Sequence, residues 1–187
     1  MSRKRAAATG STLTMPTSKK SAVSDSITRS YTWSDVGVCT KSNNAQMFVC
    51  EDVQFSDSHC TKMAAFDIDW TIIATKSGKT FSQNATDWKW LYDTDDLIPS
   101  KIKSLYNDDG FAIVFFTNQA GVEKGKTPVA MIQQKVEGIC SGLGIPILTL
   151  VATGESHYRK PSTGMFDYVL KNYAHNKQAS SPCGWLF

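Results

Sequence analysis

Long apolar runs are missing from this sequence. No stretch approaches the roughly 18 apolar residues that a membrane-crossing helix requires, so none is expected to span a bilayer. The opening residues, MSRKRAAATGSTLT, lack the apolar segment of a secretory signal, and secretion is not expected. Cysteine is scattered: Cys39, Cys50, Cys60, Cys140 and Cys183 form an odd set with no C-x-x-C. Reduced intracellular thiols are the plain reading. A zinc shared by Cys39, Cys50, His59 and Cys60 is the alternative, but the intervals match no ribbon or finger spacing. Acidic residues are absent after Asp167. The bulk composition is ordinary: 187 residues, 41% hydrophobic and 20% charged, exclude a collagen, a coiled coil or a wholly disordered chain. There is room for one domain and a tail.

Charge is unevenly spread. Residues 1–30 hold six Lys/Arg and one acid, while the rest of the chain is net negative. The same 30 residues contain twelve Ser or Thr and few large apolar side chains. Such a segment buries too little surface to offset its ordering entropy, so a disordered basic tail is expected. Its clusters, Arg3-Lys4-Arg5 and Lys19-Lys20, suit a two-part nuclear import signal, contact with a polyanion, or a merely solvated tail.

Residues 31–62 form a second zone, with Tyr31, Trp33, Val36, Phe48 and Val49 but no helical period. Short strands packed on a later core are expected. From residue 63 the pattern sharpens. Met63-Ala64-Ala65-Phe66 reads as a buried strand ending in Asp67-Ile68-Asp69. Ser77-Gly78-Lys79 lies in a turn. Pro99 starts a helix through Ile102 and Leu105, stopped at Asn107-Asp108-Asp109-Gly110. Phe111 to Phe116 is a strand buried on both faces, followed by Thr117-Asn118 in a loop. Pro128 opens a second helix carrying Ile132, Val136 and Ile139, which Gly142 and Gly144 close. Ile147 to Val151 is a third buried strand, and Ser162 and Thr163 cap a third helix. Alternating strands and helices predict an α/β fold with a parallel, Rossmann-like sheet. Ligands in such sheets bind at the carboxyl ends of the strands.

The polar clusters fall at those ends. Two carboxylates two residues apart suit Mg²⁺ binding or shared nucleophile and acid/base work. A hydroxyl, an amide and a lysine converging there would hold phosphoryl oxygens and offset their charge. Phosphoryl transfer needs little else from a protein.

Phe66-Asp67-Ile68-Asp69-Trp70-Thr71 resembles motif I, D-x-D-x-T, of the haloacid-dehalogenase (HAD) phosphatases. Phe116-Thr117-Asn118 resembles motif II and Lys160 motif III. Ser77-Gly78-Lys79 with Phe81 and Asp87-Trp88, Thr117-Asn118-Gln119 with Gly121 and Gly125-Lys126, and Tyr158-Arg159-Lys160-Pro161 with Gly164-Met165 resemble the polynucleotide 3′-phosphatase branch. The resemblance covers about residues 63–172 and implies a three-layer HAD sandwich over residues 63–174, with a divergent tail at 175–187. It implies Asp67 as nucleophile towards the 3′-phosphate of a DNA end and Asp69 as acid/base. It implies Mg²⁺ on the Asp67 carboxylate and the Asp69 carbonyl. Thr117 and Asn118 would contact the phosphoryl group, Lys160 would balance charge, and Thr71 would fix the motif I turn. Lys79, Lys124, Lys126 and Arg159 would bind substrate through the DNA backbone. Trp88 and Trp90 are read as core aromatics rather than base-stacking ones. A nuclear role in DNA strand-break repair, repair scaffold proteins as partners and a monomeric state go with that family.

Three departures qualify the pattern. Trp70 stands where the family has Gly, so it must point into the site mouth or displace a neighbour. The family's fourth motif, which brings a further Mg²⁺ ligand, finds no match in AHNKQASSPCGWLF after Tyr173. A phosphatase domain cut short is the resulting expectation, with the Asp67 strand left as an open edge that residues 31–62 or another chain would cover. The family's kinase domain has no counterpart. Ala120 to Thr127 satisfies a permissive Walker A pattern, but Thr117-Asn118-Gln119 intervene after the strand and Pro128 follows at once. A variant that only binds DNA ends or a repair partner, and a small-metabolite HAD phosphatase, are the alternatives to a polynucleotide 3′-phosphatase.

Overall fold

The computed structural model describes residues 29–38, 44–55, 62–92 and 96–173. The basic clusters of the first 28 residues lie outside these, as do Cys39, His59, Cys60, Cys183 and the expected tail at 175–187. The elements in chain order are strands β1 (Tyr31–Val38), β2 (Ala45–Asp52), β3 (Met63–Phe66), β4 (Ile73–Ala74) and β5 (Lys89–Trp90), helix α1 (Leu97–Asn107), strand β6 (Ala112–Asn118), helix α2 (Val129–Leu143), strand β7 (Ile147–Ala152) and helix α3 (Gly164–Tyr173).

One sheet runs β1-β2-β7-β6-β3. β3, β6 and β7 are parallel, with Ala64 opposite Ile113 and Val114 opposite Leu148. Period-two alternation divides their side chains between two faces. Ile113, Phe115 and Ile147 face a core with Ile102 and Leu105 of α1 and Ile132, Val136 and Ile139 of α2. Val114, Leu148 and Leu150 face the other core, with Met165 and Val169 of α3. Helices therefore cover both faces, which makes three layers and explains why β7 is buried at all six positions.

The sheet is mixed rather than all parallel. β2 pairs antiparallel with β7, and β1 antiparallel with β2. Residues 31–62 do supply the expected strands, but on the far side of the sheet: they extend the β7 edge and leave β3 terminal among the described residues. Arg29 and Ser30, assigned to the basic tail by composition, are tied to β2 and its end. Arg29 Nη1 pairs with the wholly buried Asp52 at 2.8 Å, and the Ser30 carbonyl accepts from the Val53 amide at 3.0 Å.

Helix limits follow local chemistry. α1 begins two residues before Pro99, which sits in the first turn where no amide donor is needed. Pro128 precedes α2 directly, and Gly144, at φ 67°, closes it in the left-handed region. Gly142 lies inside the helix and does not stop it. A Cβ there would come within 3.2 Å of the Trp90 ring, so its bareness admits the indole. Trp88 and Trp90 meet edge to face at 5.2 Å on this helix, as core aromatics.

Candidate active site

The carboxyl ends of β3 and β6 lie side by side because the two strands are parallel neighbours. Asp67 follows β3 directly. Its Oδ1 accepts from the Ile68 amide at 2.8 Å and pairs with Lys160 Nζ at 2.7 Å. That ammonium also donates to the Phe116 carbonyl at 2.7 Å, which pins it to the end of β6. Asn118 fixes the lysine's backbone from both sides. Its Oδ1 accepts from the Lys160 amide at 3.0 Å, and its Nδ2 donates to the Lys160 carbonyl at 3.2 Å. Thr117 and Asn118 are the last residues of β6, not loop residues, paired with Val151 and Ala152 of β7.

The turn after Asp67 is built on the Ile68 carbonyl, which receives the amides of Ile72 at 2.9 Å and Ile73 at 3.1 Å. Trp70 occupies the turn at φ 61°, the left-handed region that favours glycine. Its indole reaches the site mouth and donates from Nε1 to the Thr80 carbonyl at 3.3 Å. The segment it meets is tied down by Asp87, which accepts from the Ser77 amide, the Ser77 hydroxyl and the Gln83 amide, each at 2.8 Å. The Gln83 amide foremost, then the Ser77 hydroxyl, hold the Asp87 carboxyl below its ordinary value.

Asp69 is clamped by two residues that the motifs did not single out as site residues. Lys135 Nζ, from α2, lies 2.7 Å from Oδ1, and Gln119 Nε2 lies 2.7 Å from Oδ2 and 2.9 Å from Thr117 Oγ1. The Lys135 side chain is only 5% exposed, so its charge is balanced inside the protein. The sequence carried a signal for it: a lysine one turn after Ile132 and beside Val136, on the apolar face of α2.

Asp69 and Asn118 also line a cavity of about 530 Å³ whose cationic wall is Lys124, Lys126, Lys135 and Arg159. Arg159 Nε pairs with Glu155 at 3.3 Å, while its buried Nη1 has no hydrogen-bond partner. Thr71 is exposed and lines none of this cavity, its amide contributing to the turn at 3.3 Å from the Ile68 carbonyl. Lys79 also stands outside the walls, bonded to Gln83 Oε1 at 2.9 Å. The Walker-like stretch forms no phosphate loop. The Lys126 and Thr127 amides are spent on the Gly121 carbonyl, and the helix starts only after Pro128.

No group of three His, Cys, Asp or Glu suited to a metal occurs among the described residues. Asp67 Oδ2 and the Asp69 carbonyl oxygen have no donor among them. Two such hard oxygens suit Mg²⁺, which commonly takes one or two protein ligands and fills the rest of its shell with water or substrate oxygens.

The family described as polynucleotide kinase 3 phosphatase matches residues 62–184. A bifunctional polynucleotide phosphatase/kinase of Schizosaccharomyces pombe is 39% identical over 111 residues, 59% of this chain and 26% of that protein. An uncharacterized 20.8 kDa protein of Autographa californica nuclear polyhedrosis virus is 38% identical over 117 residues, 62% of this chain and 60% of that one. This chain thus spans less than two thirds of either relative. Among solved structures, a Mesorhizobium loti protein described as a HAD-like phosphatase aligns at a TM-score of 0.55 and 16% identity, over 69% of this chain and 65% of that one. The D,D-heptose 1,7-bisphosphate phosphatase of B. bronchiseptica, solved with magnesium and phosphate, aligns at 0.50 and 19% identity, over 61% of this chain and 64% of that one. The fold is shared with these two solved structures, and the chain belongs to the polynucleotide kinase 3 phosphatase family.

Proposed function

We propose that this protein is a polynucleotide 3′-phosphatase acting on DNA ends that carry a 3′-phosphate. The observation that carries the reading is the Asp67–Lys160 pair at the end of β3, with Asn118 fixing the lysine. An anionic carboxylate approaches an anionic phosphate only where a cation offsets their repulsion, and Lys160 is that cation.

Asp67 attacks phosphorus, the bond from phosphorus to the 3′-oxygen breaks, and an aspartyl-phosphate forms. Asp69, which takes up a proton from solvent as the substrate enters, passes it to the departing oxygen. It then takes a proton from water, which attacks phosphorus, frees inorganic phosphate and restores Asp67. Lys135 and Gln119 hold the Asp69 carboxylate in place for both transfers. Asn118 borders the phosphoryl site, while the buried Thr117 acts on it through its bond from Gln119. Asp67 and the Asp69 carbonyl would hold Mg²⁺, which offsets charge on the phosphoryl oxygens. Lys124, Lys126 and Arg159 supply cations for the DNA backbone. A nuclear role in DNA-break repair, with repair scaffold proteins as partners, is the setting this substrate suggests.

The substrate class is tested by comparing kcat/KM for a 3′-phosphorylated oligonucleotide with that for a sugar phosphate. The oligonucleotide is expected to be favoured by about 10²-fold or more, since each added phosphate contact contributes binding. A faster sugar phosphate would select the metabolite reading. DNA-end binding without any turnover would select the binding-only reading. Lys160→Ala is expected to lower kcat by about 10²–10³-fold, the loss typical of one charge-stabilising group.

A further inference from the structure

The cations of the cavity wall stand on separate pieces of chain. Lys124 and Lys126 sit on the loop after β6, Arg159 on the loop after β7, and Lys135 on α2. Lys135 is held by Asp69. The two loops shift against each other unless something ties them, because loops are the mobile parts of such a scaffold. The backbone ties them close to the strand ends. The Gln119 amide donates to the Ala152 carbonyl at 2.7 Å, and the Glu123 amide to the Thr153 carbonyl at 3.1 Å. Farther out a side chain takes over. Glu123 Oε2 accepts from the Glu155 amide at 3.0 Å, and the Glu155 carboxylate pairs with Arg159 Nε at 3.3 Å.

Gly154 is shaped for that carboxylate. A Cβ at 154 would stand 2.5 Å from Glu123 Oε2 and 2.8 Å from the Glu123 Cβ. Gly154 is not among the glycines at positive φ, so it is the room taken by Glu123 that asks for a bare Cα. The sign of the charge is equally telling. Glu123 is an acid next to Lys124 in a loop that lines a cationic wall. Coulomb attraction for a polyanion would be stronger without it.

We infer that Glu123 is a positioning residue: it joins the loop of Lys124 and Lys126 to the loop of Arg159, and so sets the spacing of the cations that grip the substrate's phosphate backbone. The inference rests on the polynucleotide reading above and adds to it a residue that acts through others. What Glu123 contributes is an acceptor in the right place, at the expense of an unfavourable charge. Lys160 is held separately, by Asn118 and the Phe116 carbonyl. Loosening the two loops therefore weakens substrate binding and leaves the Asp67–Lys160 pair in place.

Steady-state phosphate release from a 3′-phosphorylated oligonucleotide, by the full-length protein with Mg²⁺, tests it. Glu123→Ala is expected to raise KM about tenfold and keep kcat within about twofold, the mark of binding lost equally from ground and transition states. Retained kcat also shows that the variant is folded. Glu123→Gln keeps an oxygen for the Glu155 amide and removes the charge, so its KM is expected at or below the wild-type value. Gly154→Ala leaves every charge in place but displaces the carboxylate, and is expected to raise KM as Glu123→Ala does. The two substitutions together are expected to do no more than either alone. An unchanged or lowered KM in Glu123→Ala, a KM in Glu123→Gln raised as far as in Glu123→Ala, additive effects in the double variant, or a kcat that falls as far as KM rises would each overturn the inference while the wild type still releases phosphate. No release by the wild type is the different failure: it overturns the polynucleotide reading and the inference with it.

Discussion

Asp69 is held between a buried lysine and an amide, so its two simplest replacements are expected to behave differently. Asp69→Ala takes the counter-charge from the Lys135 ammonium, but Asp69 is itself 35% exposed, so a loss of about 1–3 kcal/mol is expected, read as a lower urea midpoint. Asp69→Asn also removes the counter-charge but keeps an oxygen for Lys135 to donate to, so it is expected to lose less stability than Asp69→Ala while losing proton transfer. The pair of variants separates chemistry from stability at one position. Motif reading singled out Asp67, Asp69, Asn118 and Lys160 because residue type and order along the chain mark them, and the fold brings Asp67, Asn118 and Lys160 together. Lys135 was not reached, since its partner lies 66 residues away and only folding brings α2 over the motif I turn. Gln119 stood inside a quoted motif, yet the two hydrogen bonds it donates to Asp69 and Thr117 needed coordinates to appear.

At the scale of elements, α2 and the segment ending at Asp87 carry the site's rigidity. Ile139 is wholly buried under the sheet, and Ile139→Ala is expected to cost about 2–5 kcal/mol, whereas the exposed Gln134→Ala should stay within about 0.5 kcal/mol. Asp87 gives a pH signature. Its folded carboxyl lies below the ordinary 3.8, so the unfolded chain binds this proton more readily. The stability that follows is complete above the ordinary carboxyl range and is lost as pH falls through the lowered value. Asp87→Asn is therefore expected to be less stable than wild type at neutral pH, with the gap closing in acid, as followed by denaturation at stepped pH. β6, β7 and the start of α2 were legible in the sequence, because unbroken apolar runs and a proline are local signals. Gly142 misled as a helix stop. Its reason is the Trp90 ring from another element, and local pattern contains no trace of it.

Across the whole molecule, a three-stranded parallel centre aligns two strand ends, and everything else positions side chains around them. The layer order was legible from alternation alone. The placement of residues 31–62 was not, because antiparallel strands without a strong period fit either open edge, and the β7 edge is the one they take. Arg29 belongs to the fold through its buried partner Asp52. Arg29→Ala leaves Asp52 buried with its charge uncompensated and is expected to cost about 3–5 kcal/mol, read from thermal or urea unfolding. The account as a whole turns on Asp67 at the end of β3 as the group that takes the phosphate. Its most direct test is inorganic phosphate release from a 3′-phosphorylated oligonucleotide with Mg²⁺, by the wild-type chain and by Asp67→Asn. The account predicts steady release by the wild type and none above background by the variant. Equal release by both, or none by the wild type, would contradict it.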